Sequence, residues 1–165
     1  MRLYLAVLFL ALAAPEEASA QTSALRGRMA GLVVERFYDE DSRFLVLGYR
    51  WTDLRASGPG FDGVVGVIPR SLVGGSLQVQ ADAGLVQAVR TGPVTLLLGG
   101  GVSNFVALEQ SFEFYPGLQA GLALLVPLEA RLVGRVDLAR HVYLAGSETY
   151  SFWSIGLSLP VLSVR

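Results

Sequence analysis

His141 is the one histidine in this 165-residue chain, and histidine is the side chain whose unperturbed titration falls nearest neutral pH. Acid–base chemistry would therefore be built around it. Ser147, Glu148 and Ser151 follow within ten residues, and a Ser-His-Glu hydrolase set is the reaction those types support. On a strand, His141 shares a face with Asp137, because side chains alternate with a period of two. A lone polar histidine in such a place is structural by default. The run Gly99-Gly100-Gly101 lacks the GxGxxG or P-loop context that would make it a phosphate cradle. The sequence shows no catalytic set, no cofactor motif and no metal-ligand spacing.

A second group of polar residues recurs with strand periodicity. Arg28, Arg50, Gln78, Gln80, Asp82, Arg135, Asp137 and His141 are all expected to point into the lumen of a barrel. Eight strands leave an interior just wide enough for side chains to fill it. One unpaired charge there costs several kcal/mol, so a paired Arg–carboxylate network is expected. Arg140 is different, since alternation puts it on the outside. It is nine residues beyond Arg131, roughly 30 Å along a strand at ~3.3 Å per residue. A tilt near 40° leaves roughly 23 Å of height, near the top of a ~25 Å apolar band. It reads either as a contact for phosphates of the outer-leaflet lipid or, by default, as a snorkelling side chain.

These assignments depend on strands. In Leu77-Gln78-Val79-Gln80-Ala81-Asp82-Ala83 the odd positions are apolar and the even ones polar, giving one greasy and one wet face. Eight such segments follow, at about 25–38, 43–55, 61–68, 75–89, 94–107, 117–127, 131–144 and 151–161. The outward sets include Leu45, Leu47, Tyr49 and Trp51, then Leu118, Ala120, Leu122, Leu124 and Val126, then Trp153, Ile155, Leu157 and Leu159. All six prolines after residue 20 fall in the intervals or at segment ends, where a missing N–H costs little. With the N-terminus in the periplasm, residues 91–93 and 127–130 become tight inner turns. Residues 39–41, 108–116 and 145–150 become longer outer loops, rich in acids with the solvated face of ordinary loops. Aromatics near segment ends (Phe37, Tyr38, Phe44, Tyr49, Trp51, Phe114, Tyr115, Tyr143, Tyr150, Phe152, Trp153) suggest two interfacial girdles.

The N-terminus carries an address. Arg2 precedes the apolar run Leu3 to Ala14, Pro15 breaks it, and Ala18-Ser19-Ala20 is a small-x-small cleavage site. Residues 1–20 are thus expected to be a secretory signal peptide cleaved after Ala20, with residues 21–165 as one barrel domain. Losing Arg2, Glu16 and Glu17 leaves twelve basic and twelve acidic side chains, so no basic excess exists to hold nucleic acid. Charged residues make up 16% of the chain, against about 25% in an ordinary soluble domain. Lysine and cysteine are absent, which excludes a disulfide framework and a lipid-modified cysteine. No apolar run after residue 20 is long enough for a spanning helix, leaving a closed barrel as the spanning structure that satisfies every backbone group.

The leader, the alternating strands and the aromatic-rich segment Tyr150-Ser151-Phe152-Trp153-Ser154-Ile155-Gly156-Leu157-Ser158-Leu159 resemble the small outer-membrane β-barrels of the OmpA/OmpX type. The resemblance implies an all-β fold: a closed antiparallel up-and-down transmembrane β-barrel of about eight strands. It also implies the bacterial outer membrane as location, with the lipid bilayer and the barrel-assembly machinery as partners. Such chains commonly end on an aromatic residue, whereas this one ends Leu162-Ser163-Val164-Arg165. Barrel enzymes that deacylate lipid A use a His-x-Ser spacing, and here Tyr143 stands where that serine belongs. The expected function is a non-enzymatic barrel with a filled lumen in envelope structure or surface interaction. The alternatives are a lipid-modifying enzyme of the same membrane and a secreted soluble barrel that binds an apolar ligand inside. The facing assignment predicts that Leu122→Arg impairs membrane assembly far more than Gln80→Ala, read as the folded fraction in the outer membrane. Equal tolerance of both contradicts it.

Overall fold

The computed structural model describes residues 27–40, 42–55, 58–69, 76–91, 94–108 and 111–163. The expected signal peptide and its cleavage point after Ala20 lie outside those residues. The described chain is an antiparallel meander: β1 (Gly27–Tyr38), β2 (Arg43–Leu54), β3 (Gly60–Val67), β4 (Leu77–Thr91), β5 (Val94–Leu108), β6 (Phe112–Pro127), β7 (Val133–Ala145), β8 (Glu148–Ser158) and β9 (Val161–Ser163). Each strand from β1 to β7 pairs with the next, and β1 pairs with both β2 and β8, which closes the sheet into a barrel. β9 prolongs β8. Val33 pairs with Ser158 and Ala30 with Val161, so the register on β1 is the same on both sides of Leu159-Pro160. Pro160 has no N–H to give, but its carbonyl accepts from Val133 N at 3.0 Å. The barrel therefore has eight strands, the last interrupted by one proline. Among the described residues no helix is long and apolar enough to cross a membrane.

Alternation holds around the cylinder. Leu45, Leu47, Tyr49, Leu85, Leu98, Leu118, Leu122, Trp153 and Leu157 all face outward and are exposed. Arg50, Thr52, Gln80, Asp82, Ser103, Arg135, Asp137, His141 and Ser154 face inward and are buried. A soluble barrel with an apolar pocket needs the opposite facing. The interior has three layers. Met29, Leu54, Val86, Leu97, Ala123, Leu125 and Val133 fill the end nearest the N-terminus. Charged residues occupy the middle. Phe37, Val46 and Ile68, with Phe44, Phe105 and Phe152 packed against them, fill the other end.

Four expectations change. Arg28 faces outward, its side chain 65% exposed and 3.5 Å from Asp53, because in β1 the inward phase belongs to Met29, Val33, Glu35 and Phe37. The outer connections are mostly short. β6 begins at Phe112, its Tyr115 opposite Phe105 and its Phe114 opposite Val106. The last hairpin turns at residues 146–147 around Gly146 (φ 63°), with Tyr150 opposite Tyr143. Pro116 consequently lies inside a strand, but where β6 has β5 on one side and β7 pairs only from Gly117 onward, so no ladder bond to β7 is lost. The aromatic girdle is thinner than expected. Phe37, Phe44, Tyr143 and Phe152 turn inward as stacked and edge-on rings, while Tyr49, Trp51, Phe114 and Trp153 remain outside. Val126 is buried, beside Gly134, over which the Leu128 side chain lies.

Glycine enters where the wall has no room. A Cβ on Gly101 would collide with the backbone of Ala83 and Gly84 on β4, and Gly101 pairs with Gly84 across the ladder. Gly101→Val should therefore lower stability by about 1–3 kcal/mol through forced backbone shifts, seen as a lower urea midpoint of the refolded barrel. An unchanged midpoint would mean that β4 and β5 lie farther apart here.

Candidate functional site: a luminal ion network and an outward arginine row

The central layer of the lumen holds a network of side chains from four strands, β1, β2, β3 and β7. Asp137 on β7 is its hub. Arg135 donates to Asp137 Oδ1 from Nε at 2.9 Å and Nη2 at 2.8 Å, and Arg50 from β2 contacts the same oxygen through Nη1. Arg50 Nη2 reaches Glu35 on β1 at 2.5 Å. The Arg135 guanidinium also grips Asp62 on β3 with two parallel bonds of 2.9 and 2.8 Å. That planar fork is the geometry in which arginine binds carboxylate best. Thr52 joins by donating to Asp62 at 2.5 Å and accepting from Arg135 at 2.8 Å.

A second network begins at Asp82 on β4. Its oxygens accept from Gln80 Nε2 and Ser103 Oγ, both at 2.6 Å. With its one proton given to Asp82, Ser103 accepts from Tyr143 at 2.8 Å and from the Nδ1–H of His141 at 3.0 Å. His141 Nε2 is then left to accept from Ser154 at 2.9 Å. This tautomer assignment follows from the donor count.

The arrangement does not converge on a nucleophile. Asp82 binds Ser103 and stays 3.9 Å from His141, whereas an orienting carboxylate must hold the imidazole itself. His141 is 1% exposed, and the Phe37 ring lies 4.7 Å from its own. The serines and glutamate proposed from sequence are elsewhere: Ser147 and Glu148 are exposed at the hairpin turn, and Ser151 accepts a bond from Arg140 on the outer wall. Among the described residues no group of three or more His, Asp or Glu could hold a metal.

Of the residues assigned to the lumen, Arg50, Gln80, Asp82, Arg135, Asp137 and His141 take part in these networks. Gln78 faces inward at the outer end, where its carbonyl accepts from Ile68 N at 3.0 Å, and Arg28 is outside. Glu35 and Asp62 were missed. Glu35 is a lone acid in the inward apolar series of β1, and Asp62 lies in the shortest barrel strand, where few alternations fix the phase. Their inclusion gives four carboxylates (Glu35, Asp62, Asp82, Asp137) against two guanidinium groups. Among the described residues, Glu35 Oε2, Gln80 Oε1 and Asp137 Oδ2 have no hydrogen-bond partner. A cavity of about 40 Å³ beside Glu35, Asp137 and His141 is polar and roomy enough for water to reach such atoms.

On the outer wall, four paired positions form a row across β2, β1, β8 and β7: Arg43, Tyr38, Trp153 and Arg140. The Arg140 guanidinium lies 5.2 Å from the centre of the Trp153 ring and donates through Nη2 to Ser151. Arg36 faces outward one row lower, beside Ile155. Among the described residues, none of Arg36, Arg43 and Arg140 has a carboxylate within 4 Å.

No family model matches the chain, and no curated protein does. Solved structures do. Neisserial surface protein A (NspA) superposes with a TM-score of 0.55 at 15% identity, covering 81% of this chain and 93% of its own. Ail, the attachment invasion locus protein of Yersinia pestis, gives 0.49 at 13% identity, covering 82% and 99%. The likeness to NspA is one of fold: a small closed eight-stranded up-and-down barrel of the outer-membrane type.

The network makes a quantitative prediction. Arg135→Met leaves Asp62 without its fork and should cost about 3–5 kcal/mol, the penalty for stranding a buried charge. Arg28→Ala removes an exposed pair and should cost less than about 1 kcal/mol. Urea unfolding of both refolded variants reads the difference, and similar midpoints would contradict the luminal placement of Arg135.

Proposed function

We propose that this chain is a membrane-spanning barrel of a bacterial outer membrane, without a catalytic centre, whose closed lumen serves as a core. Its work lies in envelope structure or in contacts made by its outer rim. The observation that carries this reading is the outward wall. Arg28 and Arg36 both face out on β1, and between them stand Ala30, Leu32 and Val34. Their eight-residue separation is roughly 26 Å along the strand at ~3.3 Å per residue, or about 20 Å of height at a tilt near 40°. Arg43 and Asp53 bracket β2 in the same way. Across β3 to β6, among the described residues, no charged side chain interrupts that belt on the outward face. An apolar belt this continuous on a soluble surface would exceed the few hundred Å² that monomers expose. Hydrocarbon is the solvent it fits.

The lumen argues against conduction. Apolar residues close the inner end and aromatic rings the outer end, while the middle is crossed by guanidinium–carboxylate bonds. The scattering of His141, Ser147, Glu148 and Ser151 over three environments supports the absence of a hydrolase. Export through the signal peptide at residues 1–20 and insertion by the barrel-assembly machinery complete the reading, with no nucleic acid and no cofactor involved. The likeness in fold to a neisserial surface protein supports a role at the cell surface.

The test is electrophoretic mobility of the protein from the outer-membrane fraction, with and without boiling. A spanning barrel resists SDS until heated, and so should migrate as two forms. A single heat-independent form recovered from the periplasm would contradict the proposal.

A further inference from the structure

We propose that the row Arg140–Trp153–Tyr38, with Arg36 below it, binds the phosphate on the headgroup of a membrane amphiphile. This rests on the outer-membrane reading and goes beyond it by naming a ligand class and its residues. The first argument is the placement of Arg140. On β7 its outward neighbours are Leu138 on one side and Val142 and Leu144 on the other, all exposed. Its row is the one in which Arg43 ends the apolar belt on β2, with exposed Val142 and Leu144 continuing beyond it. The guanidinium therefore stands at headgroup height and meets the anions of that layer. An unmatched arginine costs ~2–4 kcal/mol at mid-bilayer and less towards the interface.

The second argument is orientation. Ser151 and the Trp153 face fix one edge and one face of the Arg140 guanidinium, which lowers the entropy lost when it engages a ligand. The remaining N–H groups belong to a planar fork suited to a phosphate's oxygens. A third argument is the shape of the surroundings. Tyr38, Asp39, Glu40, Arg140, Ser151 and Trp153 line an open groove of roughly 510 Å³ at the outer rim. Of its two acids, Asp39 is tied to its own turn, accepting from Ser42 N at 2.6 Å. Glu40 is exposed above the row.

The bilayer is the favoured source of that phosphate. Free phosphate would leave Leu138, Val142 and Leu118 uncovered beside the site, whereas the acyl chains of an amphiphile lie against them. Arg36, one row closer to the middle of the wall and without an ion pair among the described residues, is within range of the same headgroup.

The chain has two tryptophans, Trp51 and Trp153, so Trp51→Phe leaves Trp153 as the sole reporter. The barrel, refolded in dodecyl-maltoside micelles that carry no phosphate, is titrated with dioleoyl phosphatidic acid, with dioleoylglycerol and with inorganic phosphate. The expected result is a saturable change in Trp153 fluorescence with phosphatidic acid, at least tenfold weaker with dioleoylglycerol and absent with inorganic phosphate. Arg140→Ala should weaken the phosphatidic acid response at least tenfold, and Arg140→Lys should restore part of it. Equal responses to the two lipids, or an unchanged response in Arg140→Ala, overturn the proposal. A full response to inorganic phosphate overturns the lipid source. Mobility with and without boiling, run on the same samples, separates the two failures: a protein without heat-dependent mobility fails as a membrane barrel, whereas a heat-modifiable barrel indifferent to phosphate fails only as a phosphate binder.

Discussion

Asp137 held between Arg50 and Arg135 is the interaction on which the interior depends. An eight-stranded cylinder is too narrow for a water channel and wide enough to demand filling. Carboxylates and guanidiniums meet that demand only in tightly paired geometry, because an isolated charge in such a place is far costlier than a paired one. The pairing reaches across the lumen: Glu35, Arg50, Asp62 and Asp137 come from β1, β2, β3 and β7. Strands distant in sequence are thereby fixed in relative height. The apolar layer below and the aromatic layer above keep bulk water from the network. Small residues such as Gly101 and Gly121 let the neighbouring strands approach.

The wall faces the reverse problem. Every backbone N–H and C=O must find a partner without water's help, and closure of the sheet between β1 and β8 provides it. Proline is tolerated where it spares that ladder. Pro160 keeps the register of its strand and uses its carbonyl, and Pro116 lies where β6 has no partner on β7. The outward side chains then need only be apolar, except where a cation near the rim has something to bind. Trp153 shows how the two demands meet, with its ring against Arg140 and its strand neighbours Ile155 and Leu157 on the same greasy face.

Most of the architecture was legible because period-two alternation reports facing directly. Leu118 through Leu124 and Gln80 with Asp82 are unambiguous for that reason. The errors fell where alternation carries little information. In β1 the inward phase is mostly apolar, so Met29, Val33 and Phe37 give no contrast with the outside, and the pattern points to Arg28 rather than Glu35 as the luminal charge. At the outer end, residues 112–116 and 148–150 hold glutamates and tyrosines that suit a loop by composition. They form strand because cross-strand pairs such as Phe105 with Tyr115 and Tyr143 with Tyr150 continue the ladder. The networks around Asp137 and Asp82 could be expected as pairings of charge but not as particular bonds, since those depend on the stagger between strands. Tyr143 and Phe152 suggest interfacial rings by their place near strand ends, but they carry the inward parity of His141 and Ser154, and that parity decides their facing.

The natural absence of cysteine makes the facing of one strand directly measurable. Single cysteines placed in turn from Leu118 to Leu124 on β6 can carry a nitroxide label in protein reconstituted into bilayers. Electron paramagnetic resonance then compares collisions with oxygen, which partitions into lipid, and with a water-soluble nickel complex. Strong oxygen contact at 118, 120, 122 and 124, alternating with little contact of either kind at 119, 121 and 123, is the predicted result. Even positions accessible to the nickel complex, or a profile without alternation, would contradict a barrel whose greasy wall meets the membrane and whose charges lie inside.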